Sequence, residues 1–326
     1  MITNHLKGTR FIFVGGSPRS GTTLVQNMLD SHPDICGGPE FLHLPGIIGV
    51  RKKLHQSIAR EWIDEFCSYD DVDQLTSLFI ESLLLPLADR YECKFLSEKT
   101  PANVLIFSEL MELFPGARFI HVVRDPRAII NSMLQVGLRA EKKGRKTQDF
   151  TISTRAAINY VKKCFRAGFS AAESAPAKVL TVSYEKLVID PEHETKRICN
   201  FLGIEWSRQM MHPASQRHLG EKAVTKRSGE VWYDTKTYNR DPEPHEIDKW
   251  KIHLTPFQKI MITVSFRDFE GPAQSKYDFS RDSLSPIEHT ASLTLSAICK
   301  FPLGIWLRRR FHKARKVLKR SIVGLS

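Results

Sequence analysis

The chain has 326 residues, 41% hydrophobic and 26% charged, which fits one large or two small globular domains. Its net charge of +12 points to an anionic partner, yet nine of the basic residues lie after Glu288, where no acid follows. The +3 left for the remainder excludes a strongly basic, nucleic-acid-binding body. No stretch reaches the roughly 18 apolar residues of a membrane-spanning helix, and the first residues lack a secretory apolar region. The six cysteines are scattered, without a C-x-x-C pair or a Cys/His cluster of zinc spacing. That pattern predicts reduced thiols, a cytoplasmic setting and no metal site.

In chain order, residues 11–14 read as a buried strand that runs into a glycine-rich loop. Leu24, Val25, Met28 and Leu29 then repeat at helical spacing until Ser31-His32-Pro33 stops the helix. Residues 51–91 read as mainly helical, a lid or flanking layer. A second strand lies around Phe95-Leu96 and leads into a helical segment that ends at the Pro115-Gly116 turn. Residues 119–123 form a third strand, followed by a helix opened by Asp125-Pro126. Residues 142–175 are again mainly helical, and residues 178–182 form a fourth strand. Tyr184 and a helix near residues 191–202, ended by Gly203, complete the pattern. Strand alternating with helix predicts an α/β fold with a mostly parallel sheet covered on both faces, and ligands beyond the carboxyl ends of the strands.

The loop "GGSPRSGTT" has Gly16 and Gly21 at the separation of a phosphate-binding loop, G-x-x-x-x-G-K-[ST], but Thr22 stands where the lysine belongs. Arg19 supplies a planar, two-pronged donor for a tetrahedral anion instead. A second constellation, "RDPRAIINS", places Arg124 just past a strand and Ser132 about two helical turns on, suited to a second phosphate. Asp125 and Arg127 read equally well as a local ion pair that caps the helix.

The run P-R-S-G-T-T after a strand, then R-D-P-R-x-x-x-x-S, then "VSYEKLVIDPEHETKRICNFLGIEW", resembles the sulfotransferase superfamily over roughly residues 11–270. The likeness is strongest to the tyrosylprotein and related bacterial branch. It implies a P-loop-like three-layer sandwich and a 3′-phosphoadenosine 5′-phosphosulfate (PAPS) donor, without a metal. By position it implies that Arg19, Ser20, Gly21, Thr22 and Thr23 contact the 5′-phosphosulfate and that Arg124 and Ser132 hold the 3′-phosphate. It also places Tyr184 near the adenine and makes Ser228 and Lys249 late donor contacts, although their separation is longer here. Glu40 falls at the catalytic glutamate, after the stiff Gly37-Gly38-Pro39 turn, where burial would raise a carboxylate's pKa toward that of a useful base. Lys99 falls at the lysine that neutralises the bridging oxygen, with Arg19 as a further catalytic group. His43 and His121 are alternative bases, His121 reading better as a core residue.

Several departures bear on the acceptor. Where peptide-sulfating relatives carry arginines after the base, this chain has Leu42 and Gly46, and their cysteine beside the base is displaced to Cys36. A hydroxylated acceptor of neutral or apolar character, such as a glycolipid, sugar or small metabolite, is expected, with a tyrosylprotein acceptor as the alternative. A nucleotide kinase or hydrolase and a non-catalytic anion-binding membrane module are the competing classes. Residues 1–272 are read as the sulfotransferase domain and residues 273–326 as a linker and tail. In that tail Leu307, Phe311, Ala314, Leu318 and Ile322 share one helical face flanked by cations, behind Trp306. This is the pattern of a helix lying on an anionic membrane, predicted to be the inner face of a cytoplasmic membrane.

Overall fold

The computed structural model describes residues 8–220, 231–232, 240–244 and 247–269. Ser228, the tail and the 272/273 boundary lie outside the described residues. The chain divides into two compact units, Met1–His253 and Leu254–Ser326.

The first unit is built on five parallel strands: β1 (Phe11–Gly16), β2 (Ile35–Gly37), β3 (Phe95–Lys99), β4 (Arg118–Val123) and β5 (Val179–Ser183). Their spatial order is β2-β3-β1-β4-β5. The register pairs Phe13 with Glu98 on one side of β1 and with Phe119 on the other. The helices are α1 (Thr22–Asp30), α2 (Leu44–Ile58), α3 (Tyr69–Arg90), α4 (Phe107–Leu113), α5 (Pro126–Lys142), α6 (Thr154–Ser174), α7 (Tyr184–Ile189), α8 (Pro191–Leu202) and the short α9 (Trp250–His253).

Alternation along the central strand decides the layers, because successive side chains of a strand point to opposite faces. Phe11 and Phe13 join a cluster with Phe107, Leu110, Phe114 and Phe119, to which α2, α3, α4 and α6 contribute. Ile12 and Val14 join the opposite cluster with Leu24, Val25, Met28, Leu187 and Ile198 from α1, α7 and α8. All six residues of β1 are buried, as a strand covered on both sides requires. The helices predicted over residues 51–91 and 142–175 thus form flanking layers.

The four predicted strands are present, and β2 is added. Three residues with one apolar β-branched member carry too little periodicity to be read from sequence. Pairing with β3 is what makes that segment a strand. His121 lies in the interior of β4, fully buried, with its ring edge-on to Phe165 and Phe169. A Cβ at Gly168 would come within 2.3 Å of that ring, so the glycine makes room for it.

In the second unit, α10 (Pro256–Phe266) opens on a capping box between Thr255 and Gln258. Among the described residues, no helix is long and apolar enough to cross a membrane.

Candidate active site

The parallel sheet brings the carboxyl ends of β1, β3 and β4 to one edge, where the sequence-predicted residues gather. β1 runs into residues 17–21, and two of these have left-handed backbone: Arg19 with φ 73° and Gly21 with φ 100°. That conformation is strained for arginine, and such strain persists where a backbone is shaped around a ligand. At Gly21 a Cβ would lie 2.3 Å from the Tyr184 ring, so no larger residue fits. Helix α1 starts at once, with no side-chain cap and no acid in its first turn. The N–H groups of that turn are therefore available to an anion, and the helix dipole favours one there. Ser20 Oγ is buried without a hydrogen-bond partner. A buried hydroxyl beside a loop of this shape fits a tetrahedral oxyanion with several acceptor oxygens.

Lys99 ends β3 and is 1% exposed. Its Nζ donates to Glu40 Oε1 at 2.5 Å and to Thr23 Oγ1 at 3.3 Å. One buried ammonium thus joins the candidate base to the first turn of α1. Glu40 itself is half-buried, at 19% exposure, and ion-paired with Lys99. Backbone bonds hold the segment that carries it. Gly37 N–H donates to Asp30 Oδ1 at 2.5 Å, Gly38 N–H to Ser97 O at 3.5 Å and Phe41 N–H to Glu98 Oε1 at 3.0 Å. Asp30 is steadied in turn by His218, whose Nδ1 lies 2.7 Å from its other oxygen. His43 is exposed at the start of α2, its ring against Phe41.

The second constellation lines a cavity of about 550 Å³. Arg124, Ser132 and Lys249 all face it, together with Arg19. Arg19 bridges the two constellations: its Nε donates to Ser132 Oγ at 2.9 Å and its Nη1 to Trp232 O at 2.9 Å. The Arg124 guanidinium lies 4.1 Å from the Tyr184 ring, and its Nη1 donates to Arg19 O at 3.4 Å. Tyr184 is 2% exposed and does not line the cavity. Its ring lies behind the loop, between Gly21 and the Arg124 guanidinium. Asp125 and Arg127 form the local ion pair, with Arg127 stacked 4.1 Å from the ring of Trp250. That buried pair seats α9 and, next to it, Lys249.

Sequence reasoning missed the other cavity residues. Asn131, Gln135, Arg139 and Lys143 form an i, i+4 stripe along α5 and extend to Lys143 at its C-cap, a polar helical face that periodicity alone would have shown. Arg240, Trp232 and Trp250 lie too far along the chain for any local signal. Arg19, Arg124, Arg139, Lys143, Arg240 and Lys249 give the lining six cations, and among the described residues no carboxylate accompanies them. A doubly charged phosphate is the ligand such a lining favours.

The described cysteines are free, and burial above all pushes Cys36 and Cys164 up to about 12, far from the thiolate range. Among the described residues, no group of three or more His, Cys, Asp or Glu side chains is placed to hold a metal.

Residues 12–208, which include the loop, Glu40, Lys99 and the Arg124–Ser132 pair, match the sulfotransferase family. The chain belongs to that family. It is 32% identical over 206 residues to protein-tyrosine sulfotransferase A of Caenorhabditis elegans, which covers 62% of this chain and 52% of that protein. Protein-tyrosine sulfotransferase 1 of Danio rerio is 31% identical over 209 residues, 63% of this chain and 56% of that protein. The chain thus spans little more than half the length of these curated relatives. Two solved structures share the fold. The sulfotransferase domain of the Synechococcus PCC 7002 olefin synthase superposes with a TM-score of 0.52 at 23% identity, over 80% of this chain and 95% of that one. The sulfotransferase domain of the curacin biosynthetic pathway gives 0.53 at 20% identity, over 80% and 98%.

Proposed function

We propose that this protein transfers a sulfuryl group from PAPS to the hydroxyl of an acceptor. The observation that carries the reading is the Lys99 ammonium. It is buried, at the end of a strand, and bonded at once to Glu40 and to the first turn of the anion-binding helix. The unpartnered Ser20 hydroxyl, the open N-terminus of α1 and the cationic cavity fit a donor with phosphate at both ends.

When bound, the donor supplies an activated sulfuryl group at the loop. Glu40 accepts the proton of the acceptor hydroxyl as its oxygen attacks sulfur in line. Lys99 and Arg19 hold positive charge where the departing phosphate oxygen takes up the electron pair of the broken S–O bond. Arg124, Ser132 and Lys249 recognise the 3′-phosphate, which separates this donor from ADP and ATP. The absent loop lysine argues against a kinase or hydrolase.

For the acceptor, the reading is a hydroxyl on a neutral or apolar molecule. Leu42, two residues past Glu40, is 51% exposed, and residues 41–50 contain no lysine or arginine to grip an acidic peptide. Similarity to protein-tyrosine sulfotransferases favours a second reading, the phenol of a peptide tyrosine. Incubation with ³⁵S-labelled PAPS, with a lipid-plus-metabolite fraction in one arm and tyrosine peptides in the other, separates them. Label in neither arm, with Glu40→Gln indistinguishable from wild type, refutes the proposal.

A further inference from the structure

Within the catalytic edge, one carboxylate has no part in the mechanism above. Glu98 precedes Lys99 on β3, is 3% exposed, and points to the side where the Glu40 segment crosses the strand end. Every neighbour that meets it is a donor. Phe41 N–H reaches Oε1 at 3.0 Å, the Thr100 hydroxyl reaches Oε1 at 2.7 Å, and the Asn103 amide donates to Oε2. Three donors on one buried carboxyl describe an anion held by charge-assisted bonds, and such bonds are short and directional. One of these donors is the amide of the residue directly after the candidate base.

We propose that Glu98 is a positioning residue for sulfuryl transfer: it fixes the backbone at Phe41 and thereby the Glu40 carboxylate against Lys99. The proposal rests on the reading of Glu40 as the base. The geometry separates two duties within one dipeptide. Lys99 reaches into the cleft, and Glu98 turns away from it to hold the opposite bank. Without the second, the Glu40 segment would keep Gly37 and Gly38 tethered before the base but lose its anchor after it.

The same site is sensitive to proton uptake. Burial raises Glu98 to about 7, against the lowering effect of the bonds from Thr100, Phe41 and Asn103 and of the neighbouring Lys99 charge. Lys99, on its own strand, is the charged group that faces it; the loop and the helical turn at residues 101–106 meet it with neutral donors. Asn103 Oδ1 is buried without a partner, so a turned amide can accept a hydrogen bond from the O–H of a protonated Glu98. Phe41 then bonds a neutral oxygen, and its grip loosens.

The test is Glu98→Gln, which copies the neutral form and has the same partner in Asn103. Expected are an unchanged fold, about tenfold faster hydrogen exchange at the Phe41 amide, and kcat lowered about tenfold, with adenosine 3′,5′-bisphosphate affinity unchanged. The wild-type kcat profile should contain an ionisation near 7 that this variant lacks. A purely structural role would change the melting temperature and leave the profile alone. Unchanged Phe41 exchange together with an unchanged pH profile overturns the proposal. Failure of the base reading shows differently: Glu40→Gln then turns over normally while Phe41 exchange still responds to Glu98→Gln.

Discussion

Replacing Arg124 by alanine isolates the contact that distinguishes a 3′-phosphate from its absence. The guanidinium is held in place before any ligand arrives, by the Tyr184 ring 4.1 Å away and by the Arg19 carbonyl. Little side-chain entropy is therefore lost on binding. A hydrogen bond to a charged group contributes about 1.5–3 kcal/mol. At about 1.4 kcal/mol per factor of ten, Arg124→Ala should weaken adenosine 3′,5′-bisphosphate by about 10- to 150-fold. ADP has no 3′-phosphate and should lose little. Arg124→Lys keeps the charge without the fork or the stacking and should fall between. Titration calorimetry on wild type and both variants measures this directly. Equal affinity of wild type for ADP and the bisphosphate, or an equal loss for both in Arg124→Ala, would refute the assignment of the cavity to the 3′-phosphate.

Gly21→Ala places a methyl group 2.3 Å from the Tyr184 ring at a left-handed backbone position, so bisphosphate binding should be lost in calorimetry while the far-ultraviolet spectrum persists. Lys99→Ala removes the cation over the departing oxygen and should lower single-turnover rates about 10²- to 10³-fold, as loss of one preorganised donor does, with donor binding changed far less. The raised pKa of Glu98 means that the folded state holds a proton which the unfolded chain releases near 4.5. That contribution is full below pH 4.5 and is lost as pH rises through about 7, so wild type should lose about 3 kcal/mol of stability relative to Glu98→Gln across that window, measured by urea unfolding at several pH values. We also propose that the basic tail attaches the protein to anionic membranes. The full chain should float with anionic liposomes and a truncation before Ser292 should not, and equal behaviour of the two refutes attachment through the tail.

Much of this site was legible in one dimension because its parts are local. The strand-loop-helix run through Gly16, Arg19 and Gly21 shapes an anion site by backbone geometry, which glycine spacing encodes directly. The same holds for Asp125-Pro126 at the start of α5, whose capping depends on neighbours in sequence. Spacing also put Ser132 about two helical turns beyond Arg124 at the strand end, and the apolar run Phe11, Ile12, Phe13 and Val14 determined that β1 is covered on both faces. Resemblance marked Glu40 and Lys99, but nothing in the sequence showed that they touch. Only the tertiary structure decided that. Lys99 meets Glu40 because β2 pairs beside β3, a contact between segments 59 residues apart that no local period reports. Glu98 carries no local signal of a role; the fold closes Phe41, Thr100 and Asn103 around it. The packing of Tyr184 between Gly21 and Arg124 is likewise a tertiary outcome, because the direction of a buried ring is chosen by what packs on it. Arg240 and Trp232 join the cavity from the end of the unit. Long-range burial is a property of the whole chain's packing, and it reaches the sequence only as residue types whose partners must be found in space.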